Sequence, residues 1–167
     1  MFKILADEYV NIFTVLNLFS YITIRTGAAI LTSLFFSLIF GELIIKSLSN
    51  IQPSGQPIRN DGPETHTLNK VGTPTMGGVL IIMSILVSLF LWADLKNNFI
   101  WISILSCLSF GFIGFYDDYL KLKSNSSNGL KARTRIIIQL LISFLVVYLI
   151  QNNLPSNFNQ SISFPFF

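Results

Sequence analysis

Apolar residues along the chain gather into four blocks separated by polar stretches. Residues 22–45 carry only Arg25 and Glu42 as charges, one near each end, and residues 76–93 and 99–116 carry none. A fourth block, 136–150, is shorter and reaches spanning length only with its flanks, over about 134–154. A helix of about 20 mostly apolar residues crosses a hydrocarbon core of about 30 Å. Lipid offers no partner to a backbone N–H or C=O, so a spanning segment satisfies its own as a helix. The pattern predicts an all-α polytopic membrane protein, a single membrane domain over 1–167 with about four transmembrane helices.

Two longer polar loops, 46–75 and 117–135, follow the first and third blocks, so four crossings put both on one side of the bilayer. Together they hold Lys46, Arg59, Lys70, Lys121, Lys123, Lys131, Arg133 and Arg135, out of 11 Lys and Arg in the chain. Lys3, Arg25 and Lys96 fall on the other side, and the tail 155–167 has no basic residue. Loops rich in Lys and Arg stay in the cytosol, which predicts two cytosolic loops and both termini in the periplasm. Gln52-Pro-Ser-Gly-Gln-Pro57 and Asn60-Asp-Gly-Pro63 break any regular helix in the first loop. Ser124-Asn-Ser-Ser-Asn-Gly129 separates two helices in the second. Residues 161–167 alternate and are rich in aromatics, as an interfacial strand or half a hairpin would be. Residues 1–20 do not read as a cleaved signal: Asp7 and Glu8 accompany Lys3, Asn11 and Asn17 interrupt the apolar run, and no small-residue cleavage site follows.

Composition narrows the class. Charged residues make up 11% and hydrophobic ones 51%, where a soluble domain carries about 25% charged residues. So few charges cannot coat a soluble surface. The net charge of +3 is segregated by membrane face, which implies a lipid bilayer as partner and no nucleic acid. Cys107, the single cysteine, lies in an apolar block and reads as a small core residue, with no disulfide within the chain.

Asp117 and Asp118 are the sharpest chemical signal. They close the uncharged block 99–116, where a carboxylate is costly to desolvate, toward a helix end whose dipole disfavours negative charge. Such a pair calls for a cation. Lys121 follows Asp117 by four residues and Asp118 by three, a spacing that puts all three on one helix face. A divalent metal is the other candidate, since Mg2+ is held by one or two carboxylates together with substrate phosphates. The plainer reading is that Asp-Asp-Tyr-Leu-Lys marks the water interface.

Lys70-Val-Gly-Thr-Pro-Thr-Met-Gly-Gly78 leads into the second block. Its glycines allow close backbone approach, Thr73 and Thr75 add hydroxyls, and Lys70 adds a point charge suited to phosphate. The free amides of a helix N-terminus would stand behind them. The alternative is an ordinary loop-to-helix junction with Thr75 as its N-cap. Lys123, Lys131, Arg133 and Arg135 suit either a diphosphate or, more commonly, anionic headgroups. His66 reads as an exposed loop histidine, with proton transfer as the sharper alternative. Gly111 and Gly114 read as points of close helix packing. Acids able to hold Mg2+ beside phosphate-binding groups suit phosphoryl transfer to or from a lipid phosphate.

Three stretches carry a family resemblance: Arg59-Asn-Asp-Gly-Pro-Glu-Thr-His66, Gly72-Thr-Pro-Thr-Met-Gly-Gly78 and Phe110-Gly-Phe-Ile-Gly-Phe-Tyr-Asp-Asp-Tyr-Leu-Lys121. They resemble the N-terminal half of the bacterial phospho-N-acetylmuramoyl-pentapeptide transferases, within the polyprenyl-phosphate N-acetylhexosamine-1-phosphate transferase superfamily. Tyr21-Ile-Thr-Ile-Arg-Thr26 and Trp92 fit as well. The resemblance implies the first half of a ten-span fold in the bacterial inner membrane, multi-pass, with its active site facing the cytosol, and a homodimer. It implies Mg2+-dependent transfer of phospho-MurNAc-pentapeptide from UDP-MurNAc-pentapeptide to undecaprenyl phosphate, giving lipid I and UMP. That is the first membrane step of peptidoglycan synthesis. Asp117 and Asp118 would be the essential acids, one of them deprotonating the lipid phosphate or acting as nucleophile. Lys70, Thr75 and Lys121 would contact the diphosphate or nucleotide. Which residues hold the metal is left open.

The chain also departs from the family. Its members continue with a further essential aspartate and a histidine-rich cytosolic loop, whereas no acid follows Asp118 here and the one histidine is His66. A truncated or split version is therefore expected, lacking the C-terminal catalytic half. An inactive membrane fragment is the alternative, followed by a small transporter or channel subunit with acids at a pore mouth.

Overall fold

The computed structural model describes residues 1–9, 14–53, 55, 74–124, 126 and 129–155. Among them every regular element is helical: α1 (Phe2–Tyr9), a 3-10 segment (Thr14–Ser20), α2 (Ile22–Ile51), α3 (Gly78–Trp92), α4 (Asn98–Ser124) and α5 (Ala132–Asn153). By length and composition α2, α4 and α5 can each cross a membrane, and α3 is a shorter apolar helix of 15 residues. The chain is an all-α polytopic membrane protein. The aromatic tail 161–167 and most of the first polar loop, His66, Lys70 and Thr73 included, lie outside the described residues.

Its surface suits lipid. Leu38, Ile39, Phe112, Leu141 and Phe144 are exposed, and none of the most apolar stretch of α5 is buried. So much exposed hydrocarbon requires an apolar medium or further protein around it. The buried apolar side chains are Ala6, Ile102, Ile104 and Ile113. Ser84 and Ser88, also buried, each return their hydroxyl to the carbonyl three residues back, on Ile81 and Ile85. These two hydroxyls thus find partners without leaving the helix.

The helices pack in chain order, α2 on α3, α3 on α4 and α4 on α5. At one end Arg25 Nη1 donates to the Trp92 carbonyl at 3.5 Å, and Asn98 Nδ2 donates to Asn153 Oδ1 at 2.8 Å. Phe2 stacks on Trp92 there, with ring centroids 4.6 Å apart. At the other end the C-termini of α2 and α4 meet the N-termini of α3 and α5. Gly111 sets the α3–α4 approach, because a Cβ on it would run into Ile82 Cδ1. Gly114 has no neighbour within 4 Å of that position, so close packing belongs to Gly111 only.

Helix ends differ from the ends of the apolar blocks. α4 continues to Ser124, about two turns past Tyr116, so Asp117 and Asp118 lie inside the helix rather than at its close. Lys121 and Lys123 occupy its last turn, where positive charge suits the dipole. α3 begins at Gly78, and Met76 stands before it with a left-handed φ of 68°.

Candidate active site

Helices α2 to α5 all contribute at the end where α2 and α4 finish. From α4 come Asp117 and Asp118, with Lys121 one turn further on. Lys121 Nζ lies 2.6 Å from Asp117 Oδ2 and 3.4 Å from Asp118 Oδ1. The lead into α5 supplies the Leu130 backbone N–H, which donates to Asp117 Oδ1 at 2.7 Å. The lead into α3 supplies the Thr75 hydroxyl, which donates to Asp118 Oδ2 at 2.7 Å. Each of the four carboxylate oxygens therefore has a partner, and two of them share one ammonium. Hydrogen bonds to ionised groups are roughly twice as strong as neutral ones, which is how Asp117 tolerates burial to 7% exposure.

Thr75 does not cap α3. The N-cap is Gly77, with no side-chain bond, and the Thr75 hydroxyl turns to Asp118 instead. The left-handed Met76 accompanies that turn; for a non-glycine residue this conformation costs about 1–3 kcal/mol. The Thr75 backbone N–H is taken by Gln52 Oε1 at 2.8 Å, and Gln52 is the residue that ends α2.

A cleft of about 420 Å3 opens beside this cluster, lined in part by Asp117, Asp118, Lys121, Arg135, Gly111 and Gly114. Of Lys123, Lys131, Arg133 and Arg135, it is Arg135, in the first turn of α5, that reaches it. Acids and cations line one concave surface, which suits a phosphate ligand that draws Lys121 away from the carboxylates. Among the described residues no group of three or more His, Cys, Asp or Glu side chains is placed to hold a metal. Asp117 and Asp118 are the two carboxylates on the cleft.

Asp117, Asp118, Thr75 and Lys121 thus come together, while Lys70 lies outside the described residues. Three contributors escaped sequence reading: Gln52 sat in a turn-rich string, and Gly129 and Leu130 ended a polar loop. A Cβ on Gly129 would run into Asp117 Oδ1 and come within 2.9 Å of Lys121 Cε. Gly129→Ala is therefore expected to push the loop off Asp117 and lengthen the Leu130 bond. Losing a hydrogen bond to a charged group costs about 1.5–3 kcal/mol, read as a lower thermal midpoint in nanodiscs. An unchanged midpoint would show that the loop relocates freely.

Comparison with known proteins bears on the same segment. Residues 70–82 match phospho-N-acetylmuramoyl-pentapeptide-transferase signature 1, the stretch that holds Thr75 and opens α3. Over 151 residues, 90% of this chain, the sequence is 47% identical to the phospho-N-acetylmuramoyl-pentapeptide-transferase of Rickettsia prowazekii (strain Madrid E), covering 41% of that protein. The protein of the same name from Gluconacetobacter diazotrophicus is 48% identical over 153 residues, 92% of this chain and 42% of its own. That of Rickettsia montanensis is 46% identical over 151 residues, again 41% of its length. The chain spans about two-fifths of the curated relatives it matches.

Proposed function

Because this chain is related to the phospho-N-acetylmuramoyl-pentapeptide-transferases along nine-tenths of its own length and two-fifths of theirs, we propose that it is one portion of an enzyme of that activity. The enzyme transfers phospho-MurNAc-pentapeptide from UDP-MurNAc-pentapeptide to undecaprenyl phosphate, yielding lipid I and UMP. The observation that carries this reading is the Asp117–Asp118–Lys121–Thr75 cluster, set beside a cleft and joined to the signature segment through Thr75.

The groups on the cleft divide the work. One of the two aspartates takes the proton of the lipid phosphate, whose oxygen then attacks the sugar-bearing phosphorus and expels UMP; alternatively the carboxylate attacks that phosphorus itself, UMP leaves, and the phosphosugar passes from the aspartate to the lipid phosphate. Lys121 and Arg135 offset the charge of the phosphates, Lys121 by exchanging its carboxylate partners for them. The Thr75 hydroxyl holds Asp118 in place, and Lys70, from the adjoining loop, approaches the diphosphate. Asp117 and Asp118 would hold Mg2+, since one or two carboxylates with substrate phosphates are its usual protein ligand set. When bound there, the ion would supply further charge neutralisation on the diphosphate. The excess of Lys and Arg in the two polar loops supports a cytosolic position for this end of the bundle, with both termini periplasmic in the bacterial inner membrane, and the resemblance to the family supports a homodimer.

Lipid I formation tests the proposal. The purified chain is supplied with both substrates, alone and after co-expression with the portion of a relative, such as the Rickettsia prowazekii protein, that lies beyond the matched two-fifths. Product is expected from the completed form in the presence of Mg2+, and none after chelation. A completed, correctly inserted form without product would overturn the assignment.

A further inference from the structure

We infer that Gln52 is a positioning residue, whose carboxamide fixes the Thr75 backbone so that the Thr75 hydroxyl stays on Asp118. The inference rests on reading Asp118 as an active-site acid. Gln52 is 4% exposed, although it follows the last turn of a helix end that carries polar neighbours. Its own backbone N–H closes α2 onto the carbonyls of Leu48 and Ser49, so its main chain is fixed before its side chain does anything. The side chain then reaches across 23 residues of sequence to accept the Thr75 N–H.

The orientation of the carboxamide follows from chemistry. A backbone N–H requires an oxygen opposite it, so Oε1 faces Thr75 and Nε2 is left buried without a partner among the described residues. The bond to Thr75 therefore fixes which way the buried carboxamide faces. Downstream, Thr75 is followed by the left-handed Met76 and donates to Asp118 Oδ2. The α2 terminus is thereby linked through Gln52 and Thr75 to one oxygen of Asp118, leaving Oδ1 to Lys121.

The test uses the full chain in nanodiscs with 15N-labelled threonine, following hydrogen exchange at the Thr75 amide. Gln52→Met keeps the side chain's bulk and removes the oxygen acceptor, while Gln52→Glu keeps an acceptor. Thr75 protection is expected to fall at least tenfold in Q52M and to persist in Q52E. In the completed enzyme, Q52M is expected to lower kcat at least tenfold with KM within twofold, and Q52E to recover most of that loss. Unchanged Thr75 protection in Q52M overturns the inference, as does a loss confined to KM. If the exchange pattern appears but the completed wild type forms no lipid I, the positioning role stands and the transferase assignment falls.

Discussion

In the completed enzyme, Asp117→Asn is expected to cut lipid I formation on the order of 10^3-fold or more, within or beyond the range carried by one positioned acid–base group, while membrane insertion is unaffected. Asparagine has nearly the same shape and keeps an oxygen for the Leu130 N–H, which now lies 2.7 Å from Asp117 Oδ1. What it loses is the negative charge facing Lys121 and the capacity to take a proton. The variant therefore separates chemistry from architecture. Radiolabelled transfer measured alongside protease protection of the inserted chain reads both, and near-normal turnover would remove Asp117 from the reaction.

Lys121→Met is expected to act on stability as well as turnover. A single ammonium serves both carboxylates, so its removal leaves two adjacent acids with one neutral donor each, from Leu130 and Thr75. Stripping the partner from a largely buried charge costs about 3–5 kcal/mol when burial is complete; with Asp118 side-chain exposure at 26%, solvent reduces that toward about 1–3 kcal/mol. Thermal unfolding in nanodiscs should register it, and Lys121→Arg should recover most of the loss. Equal midpoints for Lys121→Met and the parent would mean that water already screens the pair.

The sequence made the membrane architecture legible because bilayer thickness imposes itself on composition: a block such as 99–116 has no reason to exclude every charge except lipid. The Lys121 contacts were legible for a similar reason, since i+3 and i+4 spacing on a helix fixes proximity before any tertiary packing. Hydropathy reports where lipid ends and not where a helix ends, so the run of α4 on to Ser124 was hidden. The role of Thr75 was hidden too: a threonine two or three residues before a helix looks like a cap, and only the nearness of Asp118 shows where its hydroxyl goes. Gln52 and Leu130 reach their partners across 23 and 13 residues. Bonds of that kind are decided by which helix ends meet, which no local pattern records. Lys70 remains a proposal drawn from its place in the signature.

α2 and α3 lie side by side although one has 30 residues and the other 15, rises of about 45 Å and about 22 Å at 1.5 Å per residue. A single hydrocarbon thickness of about 30 Å cannot match both. The two helices nevertheless meet at both ends, through Arg25 and the Trp92 carbonyl at one and through Gln52 and the Thr75 N–H at the other. That difference in length makes the 2.8 Å bond between Gln52 and Thr75 the point at which a change of bilayer thickness is expected to bear on the acid pair.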